Sequence, residues 1–79
     1  MYPRKYLAQA WDFDGEEFKF CDLIRTFDEL YNYYTYVIDF KAWNSKEEQT
    51  ADTSKQFSEY EEALHEFAII VNKEELELL

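Results

Sequence analysis

The segment DFDGEEF, residues 12–18, sets Asp12, Asp14, Glu16 and Glu17 around the only glycine of the chain. Clustered carboxylates hold metal ions, work in pairs as general acid and base, or meet the cationic groups of a partner. The metal reading fails on spacing. An EF-hand loop needs acids at its first, third and fifth positions, glycine at the sixth and glutamate at the twelfth. With Gly15 sixth, Asp12 and Asp14 fall third and fifth, but Ala10 stands first and Cys21 twelfth. Both anchoring ligands are missing. His65 and Cys21 are the only histidine and cysteine, so four N or S ligands for zinc cannot be assembled. One glycine cannot form a glycine-rich phosphate loop. A catalytic carboxylate pair needs one desolvated acid and a cleft for substrate, and a chain of 79 residues leaves little room for a cleft. A Cys21–His65 dyad has no local support, and His65 reads as an exposed residue among acids. The expectation is a protein with no catalytic residues, no metal and no cofactor.

The acids then matter as a surface. The chain carries 18 Asp and Glu against 8 Lys and Arg, a formal net charge of −10. Asp12, Asp14, Glu16 and Glu17 gather at a turn. Glu59, Glu62 and Glu66 step by three and four along one helical stripe, with Glu61 beside them, and residues 56–72 contain no Lys or Arg. At about 1.5 Å of rise per residue those steps place carboxylates roughly 4.5–6 Å apart, on the scale of charge spacing along a nucleic-acid strand. Asp28, Glu29 and Asp39 mark a second stripe, and Glu47, Glu48 and Asp52 populate a polar stretch. Glu62 and Glu66 repel each other at i,i+4 by a few tenths of a kcal/mol; a basic partner would neutralise that repulsion. Direct nucleic-acid binding is not expected. The basic residues are scattered singly apart from Arg4 and Lys5, and phosphate binding needs them clustered. Acidic surface also serves solubility alone.

The elements that position these acids read as follows. Asp14-Gly15 is a strong signal for a two-residue type I′ hairpin turn. That turn pairs Phe13 with Glu16, Trp11 with Phe18, Gln9 with Phe20 and Leu7 with Asp22. Opposed residues share a face, so Leu7, Trp11, Phe13, Phe18 and Phe20 fall on one side. Ala8, Ala10, Asp12, Glu17, Lys19 and Cys21 fall on the other. TFDE, residues 26–29, fits a capping box with Thr26 as N-cap, and Asp28, Asn32, Thr35 and Asp39 repeat at helical spacing, which predicts a helix over about 27–43. The rival is a short helix to about Asn32 followed by a third strand to about Trp43, since residues 33–40 also alternate and favour strands. Residues 44–53 read as a solvated polar loop. Thr53 or Ser54 would cap a helix over about 54–72, with Phe57, Tyr60, Leu64, Phe67 and Val71 as its apolar stripe. The chain is therefore expected to be one small α+β domain: a hairpin over 6–22 packed on two helices (ββαα) with a short C-terminal tail. The alternative is ββαβα with a three-stranded antiparallel sheet.

Sixteen Phe, Tyr and Trp in 79 residues bury large areas each and favour an ordered core over disorder. The lone Cys21 forms no internal disulfide, no apolar run approaches the roughly 18 residues of a membrane span, and MYPRKY lacks the apolar stretch of a signal peptide. The expected location is the cytoplasm, away from membranes.

In general character over the whole chain, this profile is similar to that of small phage-encoded inhibitors that imitate DNA. These include anti-CRISPR proteins, antirestriction proteins and uracil-DNA glycosylase inhibitors, which are short, acidic, rich in aromatics and without enzymatic motifs. No family motif accompanies the likeness, so it assigns no residue roles. With the acidic surface, it implies an inhibitor in the host cytoplasm that occupies the basic cleft of a nucleic-acid-binding protein: a nuclease, a CRISPR effector or a DNA-repair enzyme. The carboxylates of Asp12, Asp14, Glu16, Glu17, Asp28, Glu29, Glu59, Glu62 and Glu66 would meet its Arg and Lys, and Tyr31, Tyr33 and Tyr36 would be packing anchors. The alternative is a structural or adaptor module, or a homodimer, binding through surplus aromatic surface. An immunity protein or antitoxin lies between the two.

Overall fold

The computed structural model describes residues 4–79; Met1, Tyr2 and Pro3, which open the segment read as lacking a signal sequence, lie outside the described residues. Six elements follow in order: β1 (Lys5–Phe13), β2 (Phe18–Asp28), β3 (Tyr33–Trp43), β4 (Gln49–Phe57), α1 (Tyr60–Lys73) and β5 (Glu77–Leu78). The strands form one antiparallel sheet in the order β4-β3-β2-β1-β5. This corrects both expected architectures. There is one helix among the described residues, and the sheet has five strands, so the fold is neither ββαα nor ββαβα with three strands.

The expected helix over 27–43 is instead a turn and a strand. Asp28 does not sit inside a helix; its Oδ1 accepts from the N–H groups of Leu30 (2.9 Å) and Tyr31 (3.2 Å). Asn32 then adopts a left-handed conformation with φ 58°, which a helix cannot continue through and which asparagine tolerates. From Tyr33 onward, aromatic and β-branched residues pair with β2 along its whole length, from Asp28↔Tyr33 to Phe18↔Trp43. Thr26 is not an N-cap. Its hydroxyl meets that of the opposed Thr35 at 2.7 Å, and this satisfies Thr35, the one buried polar side chain among the described residues.

Half of the expected polar loop, residues 49–53, is also strand. Asn44 closes a short turn by accepting at Oδ1 from the N–H groups of Lys46 (2.9 Å) and Glu48 (3.0 Å), and β4 starts at Gln49. Its polarity reflects an edge position with both faces largely solvated. Thr53 and Ser54, expected as caps, lie inside β4, and α1 begins six residues later than predicted with Glu59 as N-cap.

The first hairpin exists, but its loop has four residues. Phe13 pairs with Phe18, Trp11 with Phe20 and Gln9 with Asp22. Asp14 Oδ1 accepts from the N–H groups of Glu16 (2.9 Å) and Glu17 (2.8 Å), and Gly15 takes φ 92°. The register differs by two residues from the expected one, which leaves the side-chain faces unchanged. One bulge does change a face: the ladder skips Leu7 between Tyr6 and Ala8, and Leu7 joins the residues packed against the core.

That core lies between the sheet and α1. Ala10, Cys21, Leu23 and Ile38 of the sheet meet Ala63 and Phe67 of α1 and Leu76 beyond it. The helix thus covers the small-residue side of the first hairpin. Two ion pairs link α1 and its C-cap to the same side, Lys55–Glu66 at 2.7 Å and Lys19–Glu74 at 3.3 Å. The helix ends in a Schellman turn: Leu76 N–H donates to Val71 O (2.9 Å) and Glu75 N–H to Asn72 O (3.4 Å), with Glu75 at φ 56°. The turn delivers Leu76 into the core and β5 to the outer edge of β1.

Two changes test this arrangement in urea unfolding. Phe67→Ala, at a side chain 3% exposed, is expected to cost about 3–5 kcal/mol. Glu75→Gly removes a Cβ from a left-handed position and is expected to add about 1 kcal/mol.

Candidate functional site

Strand alternation sends Trp11, Phe13, Phe18, Phe20 and Trp43 to the sheet face opposite α1. Among the described residues α1 does not reach that face, whose buried part, Ile24 and Thr35, lies toward the opposite end of β2 and β3 from the rings. The rings pack on one another instead. Phe20 stacks on Trp43 at a centroid distance of 5.5 Å, and Phe18 lies 6.1 Å from each of Trp11, Phe20 and Trp43. The patch stays accessible: Phe13 is 61%, Trp11 37% and Phe18 36% exposed.

Carboxylates border it. One row across the sheet runs Glu77, Trp11, Phe20, Lys41, Asp52, as the cross-strand register dictates. The next row inward runs Gln9, Asp22, Asp39, Ser54. Two shallow grooves flank the ridge of Phe18 and Phe20. A groove of about 580 Å³ reaches Glu16 and Glu47 beside Phe13 and Trp43. A second, of about 550 Å³, reaches Asp22 and Leu79 beside Trp11.

Asp22 and Asp39 are directly opposed on neighbouring strands. Gln9 Nε2 donates to Asp22 Oδ1 at 3.3 Å, and the Arg4 guanidinium lies 3.7 Å from Asp39. Partial burial raises the Asp22 carboxyl above its ordinary range and repulsion from Asp39 adds to this, while Gln9, Lys41 and Arg4 pull the other way. On the covered face the balance differs. Burial alone would lower the Lys19 ammonium, but hydrogen bonds to Glu74 and Glu17 outweigh it and the net shift is upward. Burial, with smaller contributions from Asp22, Asp39 and Glu66, pushes the Cys21 thiol up to about 12, so at neutral pH the sulfur is a core atom, not a nucleophile. His65 is exposed on α1. Among the described residues no three His, Cys, Asp or Glu side chains converge as a metal site requires. No helix among them is long and apolar enough to cross a membrane.

The acids and tyrosines expected at a contact surface are distributed over both ends and both faces. Glu16 lies at the aromatic patch. Asp12 is opposed to Lys19 on the helix side. Asp14 and Asp28 fold their carboxylates onto turn N–H groups, and those bonds hold the Asp14 carboxyl below its usual range. Glu17 pairs with Lys19 at 3.4 Å. Glu29 is exposed in the β2–β3 turn, at the far end of the sheet from Glu16. Of the helical stripe, Glu59 and Glu62 are exposed, whereas Glu66 is compensated by Lys55 of β4. Tyr31 and Tyr33 pack together at 6.0 Å in the turn of Asp28, and Tyr36 packs on Tyr60 at 5.5 Å on the helix side. Sequence reasoning did not assign Trp11, Phe13, Phe18, Phe20, Trp43, Asp22, Glu47, Asp52 or Glu77 to a contact surface. The available signal was the alternation of Ala8, Ala10 and Cys21, small residues that suit a helix seat, against large aromatics on the reverse side.

Comparison with known proteins finds no match among family models, curated proteins or solved structures.

A charge at Asp22 is costlier folded than unfolded, because its folded pKa is raised. The stability its protonated form contributes is fully present below about pH 3.9 and declines as pH rises through the raised value. Asp22→Asn should therefore raise the melting temperature at neutral pH and leave it nearly unchanged in acid, as thermal unfolding across that range will read.

Proposed function

We propose that this chain is a non-enzymatic inhibitor that lays its aromatic sheet face into the basic cleft of a nucleic-acid-binding protein and so excludes nucleic acid. The observation that carries the reading is the accessible cluster of Trp11, Phe13, Phe18, Phe20 and Trp43 bordered by Glu16, Glu47, Glu77 and Asp22. A nucleic-acid cleft offers Lys and Arg for phosphates and flat apolar surfaces for bases. The patch supplies the counterpart of each, carboxylates for the cations and rings for the base platforms. Aromatic side chains centred in a patch with charge around them also match the anatomy of protein interfaces, where a few anchors carry most of the affinity. This reading puts the contact surface on the sheet rather than on the α1 stripe, and the pairing of Glu66 with Lys55 supports that choice.

The homodimer alternative is less well supported. A two-fold contact through this face would set the same carboxylates against each other, on protomers that each carry −10. A cationic cleft turns that repulsion into attraction and speeds association.

The test is inhibition of a panel of nucleases, CRISPR effectors and DNA-repair glycosylases, with DNA as competitor, at low and high salt. At least one target should be blocked competitively, and less so at high salt. Trp11→Ala or Trp43→Ala should weaken the block by about 2 kcal/mol, roughly 30-fold. The combined Glu16, Glu47 and Glu77 to Gln change should slow association, and Glu59→Gln with Glu62→Gln should have little effect. If no member of the panel is inhibited, or if the tryptophans prove dispensable, the reading falls. A stable dimer in sedimentation that buries Trp11 and Trp43 would replace it with the homodimer.

A further inference from the structure

The groove between Trp11 and Asp22 has a more specific chemistry than the patch as a whole. We infer that it is a receptor for one arginine side chain of the partner, with the guanidinium bound by the Asp22 carboxylate and stacked against the rings of Trp11, Phe18 and Phe20. The inference rests on the proposed function for the existence of a basic partner, and on the groove for the identity of the anchor.

The groove holds about 550 Å³ and is lined by the rings of Trp11, Phe18 and Phe20; Gln9 and Asp22 stand opposed in the row beyond Trp11 and Phe20, with Leu79 N–H bonded to Gln9 O at 2.9 Å. That volume lies within the range of sites for small groups. A carboxylate at the end of an aromatic trough fits a cation with an apolar stem or a flat face. Arginine has both. Its planar fork pairs with a carboxylate through two parallel hydrogen bonds, stacks on aromatic faces and sheds water more readily than an ammonium.

The charges around Asp22 favour an incoming cation. From β1, Gln9 provides a neutral donor to one carboxylate oxygen. From β3, Asp39 faces Asp22 directly and Lys41 follows in the next row, opposed to Phe20. Arg4 lies 3.7 Å from Asp39. Among the described residues no ion pair joins Lys41 or Arg4 to Asp22. A guanidinium entering the groove would supply the direct ion pair that Lys41 and Arg4 do not make with Asp22 and relieve the opposition of Asp22 to Asp39. Protonation of Asp22 would remove its partner, so binding should weaken as pH falls through the raised carboxyl value.

The probes are N-acetyl-arginine amide, its neutral isostere N-acetyl-citrulline amide, and N-acetyl-lysine amide, each titrated into the full-length protein. Amide and indole NMR shifts, with tryptophan fluorescence, are the readouts. The arginine probe should shift Gln9, Trp11 and Asp22 in a saturable way, the lysine probe should bind more weakly, and the citrulline probe should leave them unmoved. Asp22→Asn, which the fold should accept without loss, is expected to weaken the arginine response at least tenfold. Asp39→Asn should weaken it less. Equal responses to arginine and citrulline, or an unchanged response in Asp22→Asn, would overturn the assignment. The two readings separate cleanly. If Asp22→Asn inhibits a nucleic-acid enzyme as well as wild type while Trp11→Ala does not, the arginine receptor is wrong and the patch reading stands. If arginine binds with the stated dependence on Asp22 but no enzyme is inhibited, the receptor stands and the proposed target class is wrong.

Discussion

One steric constraint organises the molecule: α1 can pack only on the sheet face that carries small side chains. Ala8, Ala10, Cys21 and Ala42 alternate on that face with Leu23, Ile38 and Phe40, and they leave room for Ala63 and Phe67 to sit down. A strand cannot change the partition, because successive side chains point to opposite faces. Placing the small residues under the helix therefore places Trp11, Phe13, Phe18, Phe20 and Trp43 on the reverse. Coverage is also limited on the helix side. Fourteen residues of α1 span roughly 21 Å, while the eleven-residue strands β2 and β3 run to roughly 35 Å.

Charge follows the same partition. Three cations of the helix face are engaged close to home: Lys19 with Glu17 and Glu74, Lys55 with Glu66, and Arg25 with its guanidinium 4.4 Å from the centre of the Tyr34 ring. Lys19 and Lys55 connect the strands to α1 and its C-cap. On the aromatic face, Arg4 and Lys41 stand against Asp22, Asp39, Asp52 and Glu77. Part of the acid excess of the chain is thereby expressed next to the rings, and another part by the exposed Glu59, Glu61 and Glu62 at the start of α1. Not every acid contributes to it, since Asp14 and Asp28 serve as turn acceptors whose oxygens are occupied by backbone N–H groups.

How much of this is readable from residues alone differs by element. The faces of the first hairpin are readable because a slip of two preserves parity, even though the turn has four residues and not two. α1 is readable at Phe67 and Val71, which pack at the core as their spacing of four predicts, whereas Phe57 of the expected stripe ends β4 and Tyr60 and Leu64 are exposed. β3 is ambiguous because Asp28, Asn32, Thr35 and Asp39 imitate a helical stripe by accident: two of them build a turn, one bonds across to Thr26, and one faces Asp22. β4 is hidden because an edge strand solvated on both faces has the composition of a loop. For the site, the carboxylates stand out by number, but their grouping does not. Glu77 reaches Trp11 only because the Schellman turn at Glu75 returns the chain to β1, a contact with no local signature. The aromatics are conspicuous in composition, yet their exposure follows from which face the helix chooses, and that is a tertiary outcome.

A cluster of five aromatic rings, three of them exposed, is ordinarily a route to self-association. Here the carboxylates around it oppose that route, since two copies meeting ring to ring would bring Glu16, Glu47, Glu77 and Asp22 into mutual proximity. The repulsion acts over about 8 Å at physiological ionic strength, which is enough to bear on groups bordering the same patch. The same field attracts any surface of opposite sign. In the proposed function the acids and the rings would act as one selective device: charge would set which surfaces can approach, and the rings would supply adhesion once they have. Adhesion alone would accept a second copy, and charge alone would leave the partner loosely held in screened solvent. The separation of small and large residues across the sheet is what places both functions on the same face.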